Sequence, residues 1–328
     1  MEIIEKNKAL QEIKTFKVEL NQPMKNNSFR EGILINGEYG WAEFAPFPHH
    51  SIEHSARWLQ SALEMAWTKL PNPKLEKVKT NAIAVTDDLK DAIDVVKRSG
   101  SETLKIKLSG NNIDREIRNL QNIRDNLQNI KFRIDFNGEL SLENAILFAS
   151  KAKDLPIEYL EQPCKTLKEN KDLKQNIDIP IAIDENFRLE KDALDEKFIA
   201  ELLESCNYLV VKVIPLGGIS RFLKLRDLLP PTFNRIVISG SMDTSIGLYL
   251  STLAQSIIEP KTNLAAGVGT GMLLKNDVTT SSIVPVNGLV EVKRLNVDLD
   301  KIVESPNKNQ LIKKINECFD VGRNNGWF

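Results

Sequence analysis

Residues 103–108 read TLKIKL, and which way each of these side chains points decides how the rest of the chain is read. Side chains alternate along an extended strand, so Lys105 and Lys107 face one side while Leu104, Ile106 and Leu108 face the other. Seven more short apolar runs share the neighbourhood: NAIAV (81–85), FRIDFNG (132–138), IEYLEQP (157–163), IPIAIDEN (179–186), YLVVKVIP (208–215), RIVISGS (235–241) and NLAAGVG (263–269). Counted from Lys107, the residues near the ends of successive runs are Asp135, Glu161, Asp184, Lys212, Ser239 and Gly267, at intervals of 28, 26, 23, 28, 27 and 28 positions. Each interval accommodates one strand, one helix and two short loops. LKDAIDVVKRSG (89–100) shows the helical part, with Ala92, Val95 and Val96 on one face and Gly100 as a stop. Eight such units predict a closed parallel (β/α)8 barrel. GVGTG (267–271) spells G-x-G-x-G at the end of the series instead of G-x-G-x-x-G at its first turn, which argues against an open dinucleotide-binding sheet.

The barrel pattern is flanked by different textures. EIKTFKVEL, REGILINGEYGWAEFAPF with its NG turn, and a helical stripe near 51–70 predict an α+β module, a meander followed by a helix. The expected division is a capping domain at 1–78, the barrel at 79–284 and a C-terminal segment at 285–328 that returns to the cap. Lysine plus arginine (44) balance aspartate plus glutamate (45), so no overall field points to nucleic acid or an anionic membrane. Three scattered cysteines suit a reducing compartment, and neither a secretory pattern nor a long apolar run is present in the sequence. A cytoplasmic protein with a small-molecule partner is expected. No motif speaks to oligomeric state.

The outer face of a parallel barrel packs on helices and must be apolar, so Lys105 and Lys107 point inward. The same parity turns Arg133, Asp135, Asn137, Asp184 and Lys212 inward. Singly, each could be a turn former, a helix cap or a salt-bridge partner. Together, Asp135, Glu161 and Asp184 end three consecutive strands, and three converging carboxylates need positive charge among them. An all-oxygen site with room for substrate and water suits Mg²⁺, with Mn²⁺ next. Lys107 and Lys212, four strands apart in an eight-membered ring, would stand on opposite walls. A neighbouring ammonium at Lys105 and a divalent cation would lower the pKa of the basic lysine, a set suited to taking a proton from carbon beside a carboxylate.

The order KIK, DFNG, EQP, DEN and VVKVIPLGG resembles the enolase superfamily, in particular its muconate-lactonising branch. That resemblance covers essentially the whole chain and implies a modified TIM barrel, (β/α)7β, under an N-terminal α+β capping domain completed by the C-terminal tail. Within the branch, GWAEFAPFPHHSIE and LAAGVGTGMLLKNDV are similar to the o-succinylbenzoate synthase family. By that resemblance Asp135, Glu161 and Asp184 hold Mg²⁺, and Lys107 takes the ring proton and returns one to the departing hydroxyl. Lys212 supports the enediolate from the other face or exchanges protons there, and Lys105 tunes Lys107 and touches the metal-bound carboxylate. The substrate would be a dicarboxylate, its second carboxylate met near Asn137, Ser239, Gly240, Ser241, Gly267, Gly269 and Thr270, where SGS and GVGTG put backbone N–H groups and hydroxyls suited to an anion at the barrel mouth. N-succinylamino acid racemisation is the nearest alternative, because two opposed lysines also serve to remove a proton from one face and return it to the other. A Schiff-base aldolase with Lys212 as nucleophile is a further one. HSIEH (50–54) also fits a zinc-protease spelling, H-x-x-E-H. However, Ser51 is a favoured N-cap, which puts His50 before the helix, so the stretch is expected to be a loop with solvated histidines over the barrel mouth.

Overall fold

The computed structural model describes residues 5–24 and 27–328, so residues 1–4 and 25–26 of the expected cap lie outside it. A short helix α1 (Lys6–Ala9) leads into three antiparallel strands, β1 (Ile13–Met24), β2 (Asn27–Gly37) and β3 (Gly40–Phe44). Helix α2 (Ile52–Trp67) follows, capped by Ser51, whose side chain accepts a hydrogen bond from His54 N. The predicted stripe is the buried one: Ala56, Leu59, Leu63 and Ala66 pack into the core. The cap is thus the meander and helix that the sequence implies.

After β4 (Lys77–Lys79) come β5 (Ala82–Ala84), α3 (Leu89–Ser99), β6 (Thr103–Lys107), α4 (Ile113–Asn126), β7 (Lys131–Asp135), α5 (Leu142–Lys151), β8 (Ile157–Glu161), α6 (Leu167–Lys174) and β9 (Ile181–Ile183). The series continues through α7 (Glu185–Arg188), α8 (Glu196–Ser205), β10 (Tyr208–Val211), α9 (Val213–Leu216), α10 (Ile219–Leu228), β11 (Ile236–Ile238) and α11 (Ser245–Thr262). Strands β5 to β11 form one parallel sheet in sequence order. Alternation works as predicted: Leu104, Ile106, Ile134 and Phe136 join the large core shared with the helices, and Phe136 meets Phe148 of α5 with ring centroids 5.0 Å apart. The opposite parity fills the interior, where Tyr159, Ala182, Val210 and Val237 form a separate cluster.

The eighth run is not a full strand. Ala266 and Gly267 close the ring through single bridges to Thr80 and Ser239, and a 3₁₀ turn begins at Gly269. A Cβ on Gly267 would fall 2.9 Å from Ser239 Oγ and 3.3 Å from Ser239 Cβ, so the approach that closes the ring favours glycine. Seven strand-helix units followed by a bridging eighth run agree with the (β/α)7β barrel that the resemblance implies, and differ from eight complete units because the last run is too glycine-rich and too tightly seated to extend. Beyond it, β12 (Leu289–Glu291) pairs with β4, Val303 O accepts a bond from Lys17 N at 2.7 Å, and α12 (Lys308–Asn324) packs on α2. No helix among the described residues is long and apolar enough to cross a membrane.

Two buried carboxylates of the cap seat it on the barrel. Glu64 of α2 accepts from Ile219 N at 2.6 Å and Ser220 N at 2.8 Å, at the start of α10. Glu43 of β3 accepts from Thr244 N at 3.0 Å and Gly247 N at 3.2 Å, at the start of α11. Unpaired N–H groups and the helix dipole make such termini good anion sites. Burial, together with the neighbouring Asp243, pushes Glu43 up to about 8, against the pull of Thr244 and Arg30. A raised carboxyl contributes stability that is complete below its unfolded value of 4.5 and lost as pH rises towards 8. Denaturant titrations should therefore show wild-type stability falling steadily across that window. Glu43→Gln, which keeps the shape of the protonated acid, should flatten the fall, and parallel pH curves for the two proteins would refute the assignment.

Candidate active site

The register of the sheet sets Lys107 beside Asp135, and Asp135 beside Glu161, at the C-terminal ends of β6, β7 and β8. Asp184 directly follows β9, and Lys212 directly follows β10. Lys105 Nζ lies 3.0 Å from Asp135 Oδ2 and 2.7 Å from Glu161 Oε2. Lys212 Nζ lies 2.5 Å from Asp184 Oδ2, and Lys107 Nζ is 3.9 Å from Asp135 Oδ2 and 3.2 Å from Asn137 Oδ1. All six sequence-derived residues, with Asn137, thus meet at one end of the barrel.

The lysines supply the positive charge that the acids require. Among the described residues no three His, Cys, Asp or Glu side chains stand grouped to hold an ion, since the carboxylates are turned onto ammoniums. The donor set nevertheless fits a hard cation: it is all oxygen, and Glu161 Oε1 is buried with no hydrogen-bond partner. Burial works against the charge on Lys105, yet Asp135 and Glu161 hold it well above the ordinary lysine range. Burial would raise Asp135, but Lys105 and Lys107 keep it low; Asp184 is likewise held low by Lys212 and Arg188 against burial. Glu161 differs. Burial pushes it up to about 7 against Lys105, with Asp135 and Asp184 adding to the push.

Sequence reasoning missed several supporting groups. Arg188, one turn after Asp184, contacts Asp184 Oδ1 at 3.1 Å and Glu185 Oε1 at 3.2 Å, a spacing of four and three that a helix after DEN could have suggested. Glu185 also accepts from Asn137 Nδ2 at 3.1 Å, which links the exits of β7 and β9. The middle residue of EQP and the last of DEN hold the exits of β8 and β9 together. Gln162 Oε1 accepts from Asp184 N and Asn186 N, and Gln162 Nε2 donates to Cys164 O at 2.9 Å and to Asn186 Oδ1. Asn137 (φ 49°) and Gln162 (φ 40°) both take the left-handed backbone region, a strained conformation that tends to cluster at functional sites.

The residues assigned to the second carboxylate need correction as N–H donors. Gly240 N already donates to Gly267 O at 2.9 Å, Gly267 N to Ile238 O at 2.7 Å, and Ser241 N to Asp243 Oδ2 at 2.8 Å. Closing the barrel uses those groups, a demand that glycine counts do not reveal. Thr270 keeps an unengaged donor: its hydroxyl is buried without a partner and faces Gly240, where a Cβ would sit 3.0 Å away. Gly269 packs against Asn81 O, and Ser239 Oγ lies 3.4 Å from Gly240 O. The loop histidines are also not uniformly solvated. His50 packs edge-on against Phe47 and Trp58, and burial with its cationic neighbours holds its imidazole at about 3.

Comparison with known proteins agrees with this architecture. The family described as Enolase C-terminal domain-like matches residues 87–296, and Enolase N-terminal domain-like matches 17–66. The o-succinylbenzoate synthase of Thermobifida fusca (strain YX) is 30% identical over 296 residues, covering 89% of this chain and 90% of that protein. Among solved structures, the muconate lactonizing enzyme from Pseudomonas fluorescens complexed with muconolactone superposes with TM-score 0.73 at 15% identity, covering 90% of this chain and 98% of that one. The dipeptide epimerase from Enterococcus faecalis V583 complexed with Mg and dipeptide L-Leu-L-Tyr gives 0.71 at 18%, covering 87% and 97%. Those two likenesses concern the fold; it is the sequence match across nine-tenths of both chains, laid over a barrel mouth of three acids flanked by lysines, that places this chain in the o-succinylbenzoate synthase family of the enolase superfamily.

Proposed function

We propose that the chain is a carbon-oxygen lyase, converting 2-succinyl-6-hydroxy-2,4-cyclohexadiene-1-carboxylate to 2-succinylbenzoate and water in menaquinone biosynthesis, in the cytoplasm. The observation that carries the reading is the pair of amines, Lys107 and Lys212, set on either side of Asp135, Glu161 and Asp184. Asp135, Glu161 and Asp184 would hold Mg²⁺, or Mn²⁺ in its place. When bound, the cation draws charge from the ring carboxylate and so favours the enediolate left by proton removal.

The chain's own groups do the rest. Lys107, as a neutral amine, takes the proton from the ring carbon that bears the carboxylate. The bond from the adjacent carbon to the hydroxyl then breaks, and the Lys107 ammonium returns its proton to the leaving oxygen as water. Lys107 is thereby regenerated, and the ring gains aromaticity. Lys105 is unsuited to the base role because two carboxylates hold its charge. Lys212, held by Asp184, presents positive charge to the opposite face of the enediolate. The Thr270 hydroxyl is the donor we assign to the succinyl carboxylate.

Purified protein with Mg²⁺ should convert the cyclohexadiene to an aromatic product, followed by ultraviolet absorbance, and excess EDTA should stop it. Absence of aromatisation would sink the reading. The opposed amines also favour a second reaction, N-succinylamino acid racemisation, which would appear as solvent deuterium at the α-carbon in D₂O. EDTA-resistant turnover with borohydride trapping at Lys212 would point instead to an aldolase.

A further inference from the structure

The three histidines of this chain, His49, His50 and His54, all lie at the junction of β3 and α2, beside the barrel mouth. His54 Nε2 is 3.1 Å from the carbonyl of Leu189, the residue after α7, and His50 faces Arg188, which itself grips Asp184. The turn that carries His49 is closed by His50 N donating to Phe47 O at 3.1 Å. Its conformation is secured from two sides. Arg30 Nη2 donates to Ala45 O at 2.5 Å, and its guanidinium stacks 4.2 Å from the Phe47 ring centroid. From the C-terminal helix α12, Lys314 Nζ donates to both Phe47 O and His50 O at 3.2 Å, binding the two ends of the turn with one ammonium.

A half-buried ammonium that spends its donors on two loop carbonyls loses hydration that only those bonds replace. We propose that Lys314 is a positioning residue: through it the C-terminal helix latches the turn 47–50 at the rim of the mouth, so that the tail of the chain sets the shape of the wall the substrate meets. The kinetic part rests on the dehydratase reading above. The latch itself does not.

The groups around His50 are His49, Arg188, His54 and Lys314, with no carboxylate among the main influences, and its Nδ1 is buried without a partner. Its imidazole therefore reports whether the turn stays packed. In protein labelled with ¹⁵N-histidine, the wild-type His50 ring should remain neutral to about pH 4. Lys314→Met, which keeps the apolar stem, should raise its titration by at least about one pH unit and raise KM about fivefold with kcat within about twofold. Lys314→Arg should restore both. A wild-type His50 that titrates like an ordinary histidine overturns the latch, and so does a Lys314→Met protein with unchanged His50 titration and KM, even if its melting temperature falls. Should wild type show no dehydration at all, the functional reading fails while the histidine titrations still decide the latch.

Discussion

Lys107→Ala should turn over the cyclohexadiene at least about a thousandfold more slowly than wild type, with a much smaller change in KM, because a positioned general base contributes about 10²- to 10⁴-fold. The geometry distinguishes Lys107 from its neighbour two residues back. Lys105 is nearly enclosed and bridges Asp135 and Glu161, whereas Lys107 sits nearer the mouth, 3.9 Å from Asp135 and within reach of the Asn137 amide oxygen. Lys212→Ala should also be severely impaired, with an added consequence: Asp184 loses its 2.5 Å ammonium partner and keeps the Arg188 contact at 3.1 Å. Initial rates by absorbance, with Mg²⁺ saturating, decide the matter. Retention of a tenth or more of wild-type kcat by Lys107→Ala would remove it from the role of base.

The largest expected effect on stability lies one layer below the site. Arg133 is fully buried inside the barrel, donates to Glu158 Oε2 at 2.6 Å and to Asn81 Oδ1 at 3.1 Å, and lies 5.0 Å from the Tyr159 ring centroid. Arg133→Met should cost about 3–5 kcal/mol, since breaking a buried pair leaves the remaining charge uncompensated. Adding Glu158→Gln should recover much of that loss, because the pair as a whole has already spent most of its attraction on desolvation. Denaturant unfolding of the two single variants and the double variant measures the coupling. If the losses simply add, Arg133 holds the interior by packing against Tyr159 and not by charge.

The barrel and the convergence of six charged residues were legible in the sequence because both depend on period. Strand parity sends Lys105, Lys107, Asp135 and Lys212 inward, and parallel connectivity sets all strand ends at one rim. The same logic failed at the last run. GVGTG offers the N–H groups of an anion cradle on paper, but Gly267 uses its own to close the ring. Nothing in a glycine spacing distinguishes a donor that faces a ligand from one that faces the next strand.

Likewise the identities at HSIEH suggested solvated loop histidines, while the packing of His50 depends on Phe47, Trp58 and a lysine 264 positions further along the chain. Partner choice at that distance is set by how the tail folds back on the cap. The one-dimensional pattern therefore determined which residues point into the barrel and at what height, since those follow from local backbone geometry. Only the tertiary structure decided which charges satisfy one another, which N–H groups are already engaged, and what holds the rim in place, since these depend on contacts between segments that no local period relates.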